Sequence, residues 1–345
     1  MTTPDHRPAI PAQRPAIGVL GCGAIARSAH LPAYRQYGLR VAGAWSRSGA
    51  DVSAFPEVGR VYASAEELLA DPEVGIVDLA TGPDGRLDWL RRCVAAGKHV
   101  LTQKPLVNTA ADLTALRGVL DEADAAGVRI AVNQNGRWAP AWRLATLLVR
   151  EGAIGDVVGV THLHDKPLPP IAGTPFDEVD HMLISDYLMH WIDISCAWLG
   201  SPVRRVSASD ARVPGQPEEA KNPWSATVSL AATSGATALL RVVGDVKAAR
   251  DGVPFWIHGV EGTIRGSVLL GSDTLALEHA GAVTPYVLSG EWFVDGFAGT
   301  MGELMSALAE GREPENSARR VAGSVAVMLA ATESARRGGI PVEVG

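Results

Sequence analysis

Residues 16–26 read AIGVLGCGAIA, and this stretch decides the fold prediction. An apolar run is followed by Gly21, Gly23 and Ala26 in the spacing GxGxxA, directly before a helical pattern. The first glycine allows a tight turn, the second lets the backbone approach a pyrophosphate, and the small third residue lets helix and strand pack closely. The stretch therefore predicts the first strand and phosphate loop of a dinucleotide-binding Rossmann domain.

The segments that follow predict an α/β protein of two domains. Up to residue 135, short apolar strands alternate with helical patterns, which is typical of a doubly wound parallel sheet covered on both faces. Further on, several strand-like segments follow one another without helices, which indicates an α+β domain with a large, mostly antiparallel open sheet. A chain of 345 residues is long enough for both. We expect a flexible tail over residues 1–14, a dinucleotide-binding domain over 15–135 and a substrate-binding and oligomerisation domain over 136–345.

Composition argues for a small-molecule partner. The chain is 47% hydrophobic with a net charge of −7, and it has no run of Lys or Arg suited to nucleic acid. No apolar run approaches the roughly 20 residues that cross a bilayer. The three cysteines are far apart and form no CxxC pair, which favours thiols in a reducing compartment. We therefore expect no nucleic-acid or membrane partner and a cytoplasmic location.

The choice of nucleotide depends on the end of the second strand. The helix amides of Ala24 and Ile25 are expected to bind the phosphates of either form. An acidic residue about 20 residues further on would hold the ribose of NAD, but Ser46 and Arg47 stand there, and Asp51 is too far along to replace it. A hydroxyl and a guanidinium suit a 2′-phosphate, which favours NADP(H) and leaves NAD(H) possible. The alternatives are that Arg47 is a solvated loop residue or that it stacks on the adenine without selecting a phosphate.

Two places carry side chains suited to proton chemistry. Gln103 and Lys104 end the strand HVLTQ, at the sheet edge where doubly wound folds bind ligands. A lysine there can donate a hydrogen bond to a substrate oxygen, or it can be a surface charge. Asp186, His190 and Asp193 are spaced by four and three residues, as on one face of a helix. They are compatible with a buried structural histidine, with a general base oriented by a carboxylate, or with a metal site.

Further polar groups lie at predicted strand ends. The segment NQNGRW contains Asn133, Arg137 and Trp138, and a second strand ends in His162, His164, Asp165 and Lys166. Such groups are candidates for binding sugar hydroxyls, although solvated strand ends look the same. Among the nine tryptophans, four are compatible with sugar stacking or with the core: Trp138, Trp142, Trp191 and Trp292.

Taken in order, these motifs resemble the glucose-fructose oxidoreductase, inositol dehydrogenase and MocA (Gfo/Idh/MocA) family. The resemblance covers nearly the whole chain, through GCGAIA, AAGKHVLTQKPLV, AVNQNGRW, DYLMHWID, HGVEGTIRG and the closing GIPVEV. It implies that Lys104 and His190 are the catalytic pair with Asp186 as their partner, without a metal. It also implies that Thr81 and Pro83 lie near the nicotinamide ribose and that Gln103 and Lys104 contact the cofactor. Homodimers or homotetramers are typical of such proteins.

Two positions depart from the family pattern. Gln103 stands where the family usually has the glutamate of Glu-Lys-Pro, so Lys104 loses a neighbouring negative charge. We expect this loss to make the lysine release its proton more readily. The segment TGPDGR, from residue 81, replaces the usual Thr-Pro followed by a histidine. The nicotinamide pocket is therefore expected to be lined differently.

The expected function is NAD(P)-dependent hydride transfer to or from a secondary alcohol or ketone of a sugar, polyol or glycoside. Lys104 and His190 would contact the substrate oxygen. Asp186, Asn133, Arg137, Trp138 and His164 would complete the substrate site. One alternative keeps the fold but oxidises a glycoside only transiently, so that the glycosidic bond eliminates and the hydride returns. An alternative of another class is a non-catalytic Rossmann protein that senses a nucleotide.

Overall fold

The computed structural model describes residues 3–164, the backbone of 165, and residues 168, 171–244, 252–268 and 273–345. They form two compact units. The N-terminal unit comprises Arg7–Trp138 and Phe293–Ala322, and the C-terminal unit comprises Met1–His6, Ala139–Trp292 and Gly323–Gly345. Among the described residues, no helix is both long enough and apolar enough to cross a membrane.

The described residues form helices that are six to 19 residues long. In chain order they are α1 (Leu31–Gln36), α2 (Ala65–Ala70), α3 (Arg86–Ala95), α4 (Ala110–Ala125), α5 (Pro140–Arg150), α6 (Met189–Trp198), α7 (Trp292–Glu310) and α8 (Ala318–Arg336). Two π-helical turns, Ala26–His30 and Leu183–Tyr187, precede α1 and α6. Short 3₁₀ turns cover Asn135–Trp138 and Pro175–Glu178.

A five-stranded parallel sheet organises the N-terminal unit. Its strands are β1 (Ala16–Leu20), β2 (Val41–Trp45), β3 (Val74–Leu79), β4 (His99–Gln103) and β5 (Ile130–Asn133). They lie in the order β2-β1-β3-β4-β5, so their carboxyl ends share one edge. All five residues of β1 are buried, as expected for a strand covered on both faces. The predicted Rossmann-like fold is confirmed.

The helix after the phosphate loop starts with a π turn that lies just before a proline. Pro32 has no N–H, so the carbonyl of Ser28 receives no bond from the residue four positions on. The N–H of Leu31 instead donates to the carbonyl of Ala26, five residues back. The widened turn ends at His30, whose side chain is fully buried.

Helix α7 contributes its apolar face to the core of the N-terminal unit. Met301, Leu304 and Met305 are almost fully buried in one cluster with Ile17 and Val19 of β1. Residues 293–322 therefore belong to this unit, whereas the sequence interpretation placed all of 136–345 in the second domain. The reason is that the apolar face of the helix packs against β1, more than 270 residues earlier in the chain, and this contact leaves no local signal in the sequence.

The N-terminal segment makes contacts that the expectation of a flexible tail did not include. Residues 3–14 form neither helix nor strand. His6 is nevertheless buried, with its Nε2 3.1 Å from the carbonyl oxygen of Ser289 in the C-terminal unit. Ile10 packs against the core of the N-terminal unit. The segment thus makes buried contacts, although its Pro-rich sequence predicts no secondary structure, and its flexibility stays a prediction.

A nine-stranded sheet organises the C-terminal unit. Its order is β13-β12-β11-β10-β6-β9-β8-β7-β14, and all its pairs are antiparallel except β6 with β9. This confirms the mostly antiparallel sheet. Its strands are β6 (Val157–Asp165), β7 (Val203–Ala211), β8 (Ser225–Ala232), β9 (Thr237–Val243), β10 (Val253–Gly259), β11 (Gly262–Val268), β12 (Thr274–His279), β13 (Ala282–Tyr286) and β14 (Val342–Glu343).

Aromatic side chains fill the core of this unit. Trp142 on α5 has its ring centroid 5.5 Å from that of His162 on β6 and 5.6 Å from that of Trp191 on α6. Trp142, Trp191 and Trp292 are between 0% and 6% exposed, and Trp138 of the N-terminal unit is 3% exposed. The sequence left both sugar stacking and core packing open for these four tryptophans, and their burial matches core packing.

Candidate active site

The phosphate loop accepts only glycine at its first position. Gly21 has a φ of +102°, and a Cβ built on it would lie 3.1 Å from the carbonyl carbon of Ala80 and from Cγ2 of Thr81. Its N–H donates to the carbonyl oxygen of Trp45 at 2.8 Å, which joins the loop to the end of β2. The loop is therefore packed against the carboxyl ends of β2 and β3.

The residues around this loop fit a dinucleotide. A Cβ built on Gly23 would meet nothing within 4 Å, and Gly23 and Ala24 are exposed, so the backbone is open to a phosphate. The first amides of a helix have no intrahelical partner and can bind that phosphate. Thr81 Oγ1 is buried without a hydrogen-bond partner among the described residues, as expected of a hydroxyl that meets a ribose. Pro83 lies in the same loop and is half-buried.

The residues proposed to select the nucleotide follow β2 directly. Ser46 is half-buried and Arg47 is exposed. Asp51 is occupied within its own loop, where its Oδ1 accepts from the Ser53 hydroxyl at 2.8 Å and from the Ser53 amide at 3.2 Å. These hydrogen bonds lower the pKa of the Asp51 carboxyl. The arrangement leaves Arg47 as the exposed charged side chain next to the end of the strand.

Lys104 follows β4 at the same sheet edge and is half-buried. The side chain of Gln103 is 8% exposed. Its Oε1 accepts a hydrogen bond from the backbone N–H of Lys104 at 2.7 Å. The amide that replaces the usual glutamate is therefore buried and holds the backbone of Lys104.

Arg86 is a site residue that sequence reasoning missed. Its guanidinium is 1% exposed and donates to the carbonyl oxygens of Gln103, of Pro105 at 3.0 Å and of Thr81 at 2.6 Å. Burial lowers its pKa to about 9, so it remains charged at neutral pH. One side chain thus joins the loop after β3 to the segment that contains Lys104. The departure TGPDGR was the available signal, because Arg86 ends it.

His30 is a second buried residue that sequence reasoning missed. Its Nδ1 lies 2.7 Å from Oδ2 of Asp78 on β3, and the Tyr34 hydroxyl donates to the same oxygen at 2.8 Å. Burial, together with the charge of Asp78, raises the pKa of Tyr34 well above its usual value. His30, Tyr34 and Asp78 are all at most 1% exposed. A polar cluster therefore lies under the carboxyl edge of the sheet.

Three of the predicted substrate-binding residues have internal partners in the N-terminal unit. Asn133 is fully buried, and its Oδ1 accepts from the Thr300 hydroxyl at 2.8 Å. Arg137 donates to the carbonyl oxygen of Glu315 at 2.7 Å. Trp138 packs against Gly299 of α7, where a Cβ would come closer than 3.0 Å to the indole. These contacts account for the side chains structurally, and their substrate-binding role stays a prediction.

The predicted proton-transfer residues of the C-terminal unit lie at the start of α6. The spacing of Asp186, His190 and Asp193 predicted one face of a single helix, but α6 begins at Met189, and Asp186 lies in the preceding π turn. The cause is the bond from the Leu188 N–H to the Leu183 carbonyl at 2.8 Å, which spans five residues and widens the turn. Asp186 and His190 are both half-buried.

Their neighbours differ from those of Asp193. The ring of His190 meets Trp292 edge to face, with 5.5 Å between centroids. Asp193 is 1% exposed, and its Oδ1 accepts from the Ser324 hydroxyl at 2.6 Å. Asp193 is therefore tied to α8, whereas Asp186 and His190 are half-buried around the start of α6, and their role in proton transfer stays a prediction.

His164 is buried at the end of β6. Its Nε2 lies 2.7 Å from the hydroxyl oxygen of Tyr187, whose ring stacks on Trp191 with 5.4 Å between centroids. Burial raises the pKa of the half-buried Tyr187, so the phenol keeps its proton. Tyr187, not singled out from the sequence, is the more accessible member of the pair. The side chain of Asp165 and the whole of Lys166 lie outside the described residues.

The structure brings one part of the predicted site together within a single unit. In the N-terminal unit, the phosphate loop lies against Thr81, and Arg86 joins the Thr81 loop to the backbone around Lys104. His164, Asp186 and His190 belong to the C-terminal unit. The pairing of Lys104 with His190 therefore stays a prediction from the sequence.

Both parts of the chain match models of known protein families. Residues 16–134 match the model of the oxidoreductase family GFO_IDH_MocA, described as an NAD-binding Rossmann fold. Residues 142–265 match the model of the GFO/IDH/MocA C-terminal domain. The two matches cover the parallel sheet and most of the antiparallel sheet in turn.

Individual relatives extend the match along the chain. The 1,5-anhydro-D-fructose reductase of Ensifer adhaerens is 30% identical over 281 residues, which is 79% of this chain and 80% of that protein. The D-apiose dehydrogenase of Paraburkholderia graminis is 26% identical over 255 residues, 72% of this chain and 66% of that one. The Saccharomyces cerevisiae protein YMR315W is 29% identical over 158 residues. This match covers 44% of this chain and 44% of that protein.

A solved structure shares the whole fold. An oxidoreductase from Agrobacterium radiobacter, in complex with NAD⁺, L-tartaric acid and magnesium, superimposes with a TM-score of 0.81 at 23% identity. The superposition covers 96% of this chain and 99% of that one. With the phosphate loop, both family models and a relative that is 30% identical over 79% of this chain in agreement, this chain belongs to the GFO/IDH/MocA family of NAD-binding oxidoreductases.

Proposed function

We propose that the protein transfers a hydride between a nicotinamide and a secondary alcohol or ketone of a sugar, polyol or glycoside. The observation that carries this proposal is the Arg86 contact set, which joins the Thr81 loop beside Gly21 to the backbone around Lys104. A nucleotide-binding loop and a candidate acid are thereby held at one sheet edge. The names of two relatives, a sugar reductase and a sugar dehydrogenase, support the substrate class.

Each candidate residue has a defined task in this proposal. When bound, the nicotinamide supplies the acceptor or donor of the hydride. In the oxidation direction, His190 takes the proton of the substrate hydroxyl, and Lys104 donates a hydrogen bond to the same oxygen. Asp186 orients His190 and stabilises its charged form. The two electrons and the carbon-bound hydrogen leave together as hydride, and the alcohol carbon becomes a carbonyl.

Substitution of both candidate groups tests the assignment. We expect His190→Ala and Lys104→Met to lower kcat at least about a hundredfold, because general acid–base catalysis contributes 10²–10⁴-fold. Nucleotide binding, measured separately by fluorescence titration, should remain within about threefold. Matched controls are the exposed His258→Ala and Lys221→Met. Normal turnover in both site variants would exclude the assignment.

The assay requires a defined panel of substrates. It comprises 1,5-anhydro-D-fructose, D-apiose, myo-inositol and aryl glycosides, each with NAD(H) and with NADP(H). A dehydrogenase changes nicotinamide absorbance in proportion to product. Glycoside cleavage without that change would replace the proposal with the transient-oxidation alternative.

We further propose that the enzyme prefers NADP(H), through Ser46 and the exposed Arg47. A guanidinium forms two parallel hydrogen bonds with a phosphate, so Arg47→Ala should raise the KM for NADP⁺ about tenfold and leave that for NAD⁺ within twofold. Arg40→Ala is the matched control, because Arg40 lies at the opposite end of β2 and pairs with Glu73. Equal changes for both nucleotides would contradict the proposed role.

Two properties of the whole protein complete the proposal. We propose a homodimer or homotetramer, supported by the exposed apolar side chains of Val158 and Leu239 on neighbouring strands of the nine-stranded sheet. Light scattering that gives a monomer at micromolar concentration would contradict it. A cytoplasmic location is supported by Cys22 and Cys93, which are buried thiols.

A further inference from the structure

A row of buried polar groups connects the centre of the N-terminal unit to the backbone of Lys104. Asp78 Oδ2 lies 2.7 Å from His30 Nδ1, and His30 Nε2 lies 3.1 Å from Gln103 Nε2. Gln103 Oε1 accepts from the N–H of Lys104 at 2.7 Å. Asp78 and His30 are fully buried. The row therefore runs from a buried carboxylate to the residue proposed as the acid.

The hydrogen bonds determine where the ring proton lies. The N–H of Lys104 can only donate, so the Gln103 atom that it meets is the amide oxygen, and the NH₂ group faces His30. His30 Nε2 must then accept, and Nδ1 carries the proton that is donated to Asp78. Asn133 Nδ2, 3.4 Å from the same Nε2, is a second donor. The ring is consequently neutral, with its proton on Nδ1.

The groups packed around the ring present an acceptor to Nδ1 and donors to Nε2. The titratable groups that face it are the Asp78 carboxylate from β3 and, through that carboxylate, the Tyr34 phenol from α1. Phe297 of α7 meets the ring with 4.7 Å between centroids. A proton on Nε2 would find no acceptor in the Gln103 and Asn133 amides, because both turn their NH₂ groups toward that nitrogen.

We propose that Gln103 and His30 are matched positioning residues for Lys104. This inference rests on the proposed function, because it assigns the two residues to the group that would contact substrate. A glutamate at position 103 would turn an oxygen toward an accepting nitrogen. It would either repel the ring or force a second proton onto it, between two buried carboxylates. The glutamine thus fits a neutral ring. Its two hydrogen bonds position the His30 ring and the Lys104 backbone.

The state of the ring is tested first, by long-range ¹H–¹⁵N spectra of histidine-labelled protein at pH 7, without ligand. The His30 signals are assigned by their absence in His30→Gln. We expect the wild type to show the Nδ1–H tautomer and Gln103→Glu to show protons on both nitrogens. An Nε2–H tautomer in the wild type, or an unchanged ring in Gln103→Glu, would overturn the proposal.

The positioning of Lys104 is tested by hydrogen exchange of its backbone amide. Gln103→Met removes both hydrogen bonds at similar volume and should speed this exchange about tenfold, whereas Gln103→Glu keeps an acceptor and should not. Thr102→Val is the matched control, because Thr102 is buried beside Gln103 and its Oγ1 has no hydrogen-bond partner among the described residues. Equal exchange in Gln103→Met and wild type would refute the positioning role.

Kinetics separate this inference from the proposed function. With the panel substrate that is turned over, Gln103→Met should lower kcat about tenfold and leave the KM for nucleotide within twofold. Thr102→Val should change neither. A fully active Lys104→Met would refute the proposed function. The spectra and the exchange would still test the pairing of Gln103 with His30. An unchanged kcat in Gln103→Met, with Lys104→Met inactive, would refute the pair alone.

Discussion

At the scale of single residues, the backbone around Lys104 is held by side chains from distant parts of the sequence. Gln103 binds the Lys104 N–H, and Arg86 binds the carbonyl oxygens on either side, at Gln103 and Pro105. The sequence predicted that removal of a glutamate would act on the Lys104 amine. The hydrogen bonds of Gln103 instead point to His30 and the main chain as the groups that the amide affects.

Removal of the Arg86 guanidinium should destabilise the N-terminal unit. In Arg86→Leu, the carbonyl oxygens of Thr81, Gln103 and Pro105 lose their buried donor, so we expect the free energy of unfolding to fall by at least about 2 kcal/mol. Arg86→Lys should lose less, because an ammonium keeps the charge but not the planar set of donors. Urea unfolding measures both.

Arg92→Leu on the same helix is the matched control for Arg86. Its guanidinium packs over the Trp89 ring at 4.0 Å and pairs with the exposed Glu66. Exposed pairs of this kind contribute at most about 1 kcal/mol. A loss in Arg86→Leu no larger than that in Arg92→Leu would contradict the stabilising role of Arg86.

At the scale of elements, α7 joins the N-terminal unit through a close approach of backbone to indole. A Cβ on Gly299 would come within 3.0 Å of three Trp138 atoms, and Thr300 beside it donates to Asn133. Glycine weakens the middle of a helix by about 1 kcal/mol relative to alanine. Here the absence of a side chain is what allows helix and indole to pack.

Gly299→Ala should therefore destabilise the protein despite the better helix propensity of alanine. Overpacking costs about 1–3 kcal/mol, which exceeds the gain in propensity, so we expect a lower thermal midpoint. Gly323→Ala on α8 is the matched control. Its Cβ would meet nothing within 4 Å, and we expect a gain of up to about 1 kcal/mol. A higher midpoint in Gly299→Ala would show that α7 is not closely packed there.

At the scale of the whole molecule, the aromatic core of the C-terminal unit makes stability depend on pH. His162 is 1% exposed, and its ring stacks on Trp198 with 5.5 Å between centroids. Burial among these rings lowers the pKa of His162 to about 3. The unfolded chain takes up this proton near pH 6.5, whereas the folded chain does not. Above pH 6.5 His162 is neutral in both states, and its proton uptake does not affect the free energy of unfolding. As the pH falls from 6.5 toward 3, the unfolded chain takes up the proton first, and the free energy of unfolding decreases.

Removal of this histidine should flatten the acid side of the stability profile. We expect the free energy of unfolding of the wild type to fall, between pH 6 and 4, by about 1 kcal/mol per pH unit more than that of His162→Leu. Urea unfolding at several pH values measures both slopes. His258→Leu on the adjacent strand β10 is the matched control, since His258 is exposed. Equal slopes in wild type and His162→Leu would show that the ring is accessible to protons.

The architecture was predictable where the signal is local. The apolar strands and the glycine spacing predicted β1 and the loop around Gly21, and the consecutive strands predicted the antiparallel sheet. The π turn before α6 was not predictable, because a spacing of four between Asp186 and His190 is the same in either kind of helix. The site residues Arg86 and His30 were missed because the fold brings both to Gln103, which lies 17 and 73 positions away from them, respectively.

The strand-to-helix loop, the parallel sheet and the strand-end placement of Lys104 follow from local sequence, since they depend on turn geometry and on the period of apolar residues. The return of residues 293–322 to the N-terminal unit and the contact of Gln103 with His30 appear only in the three-dimensional structure. The physical reason is that burial and hydrogen bonding satisfy groups wherever the fold brings them together, and no local pattern records that pairing.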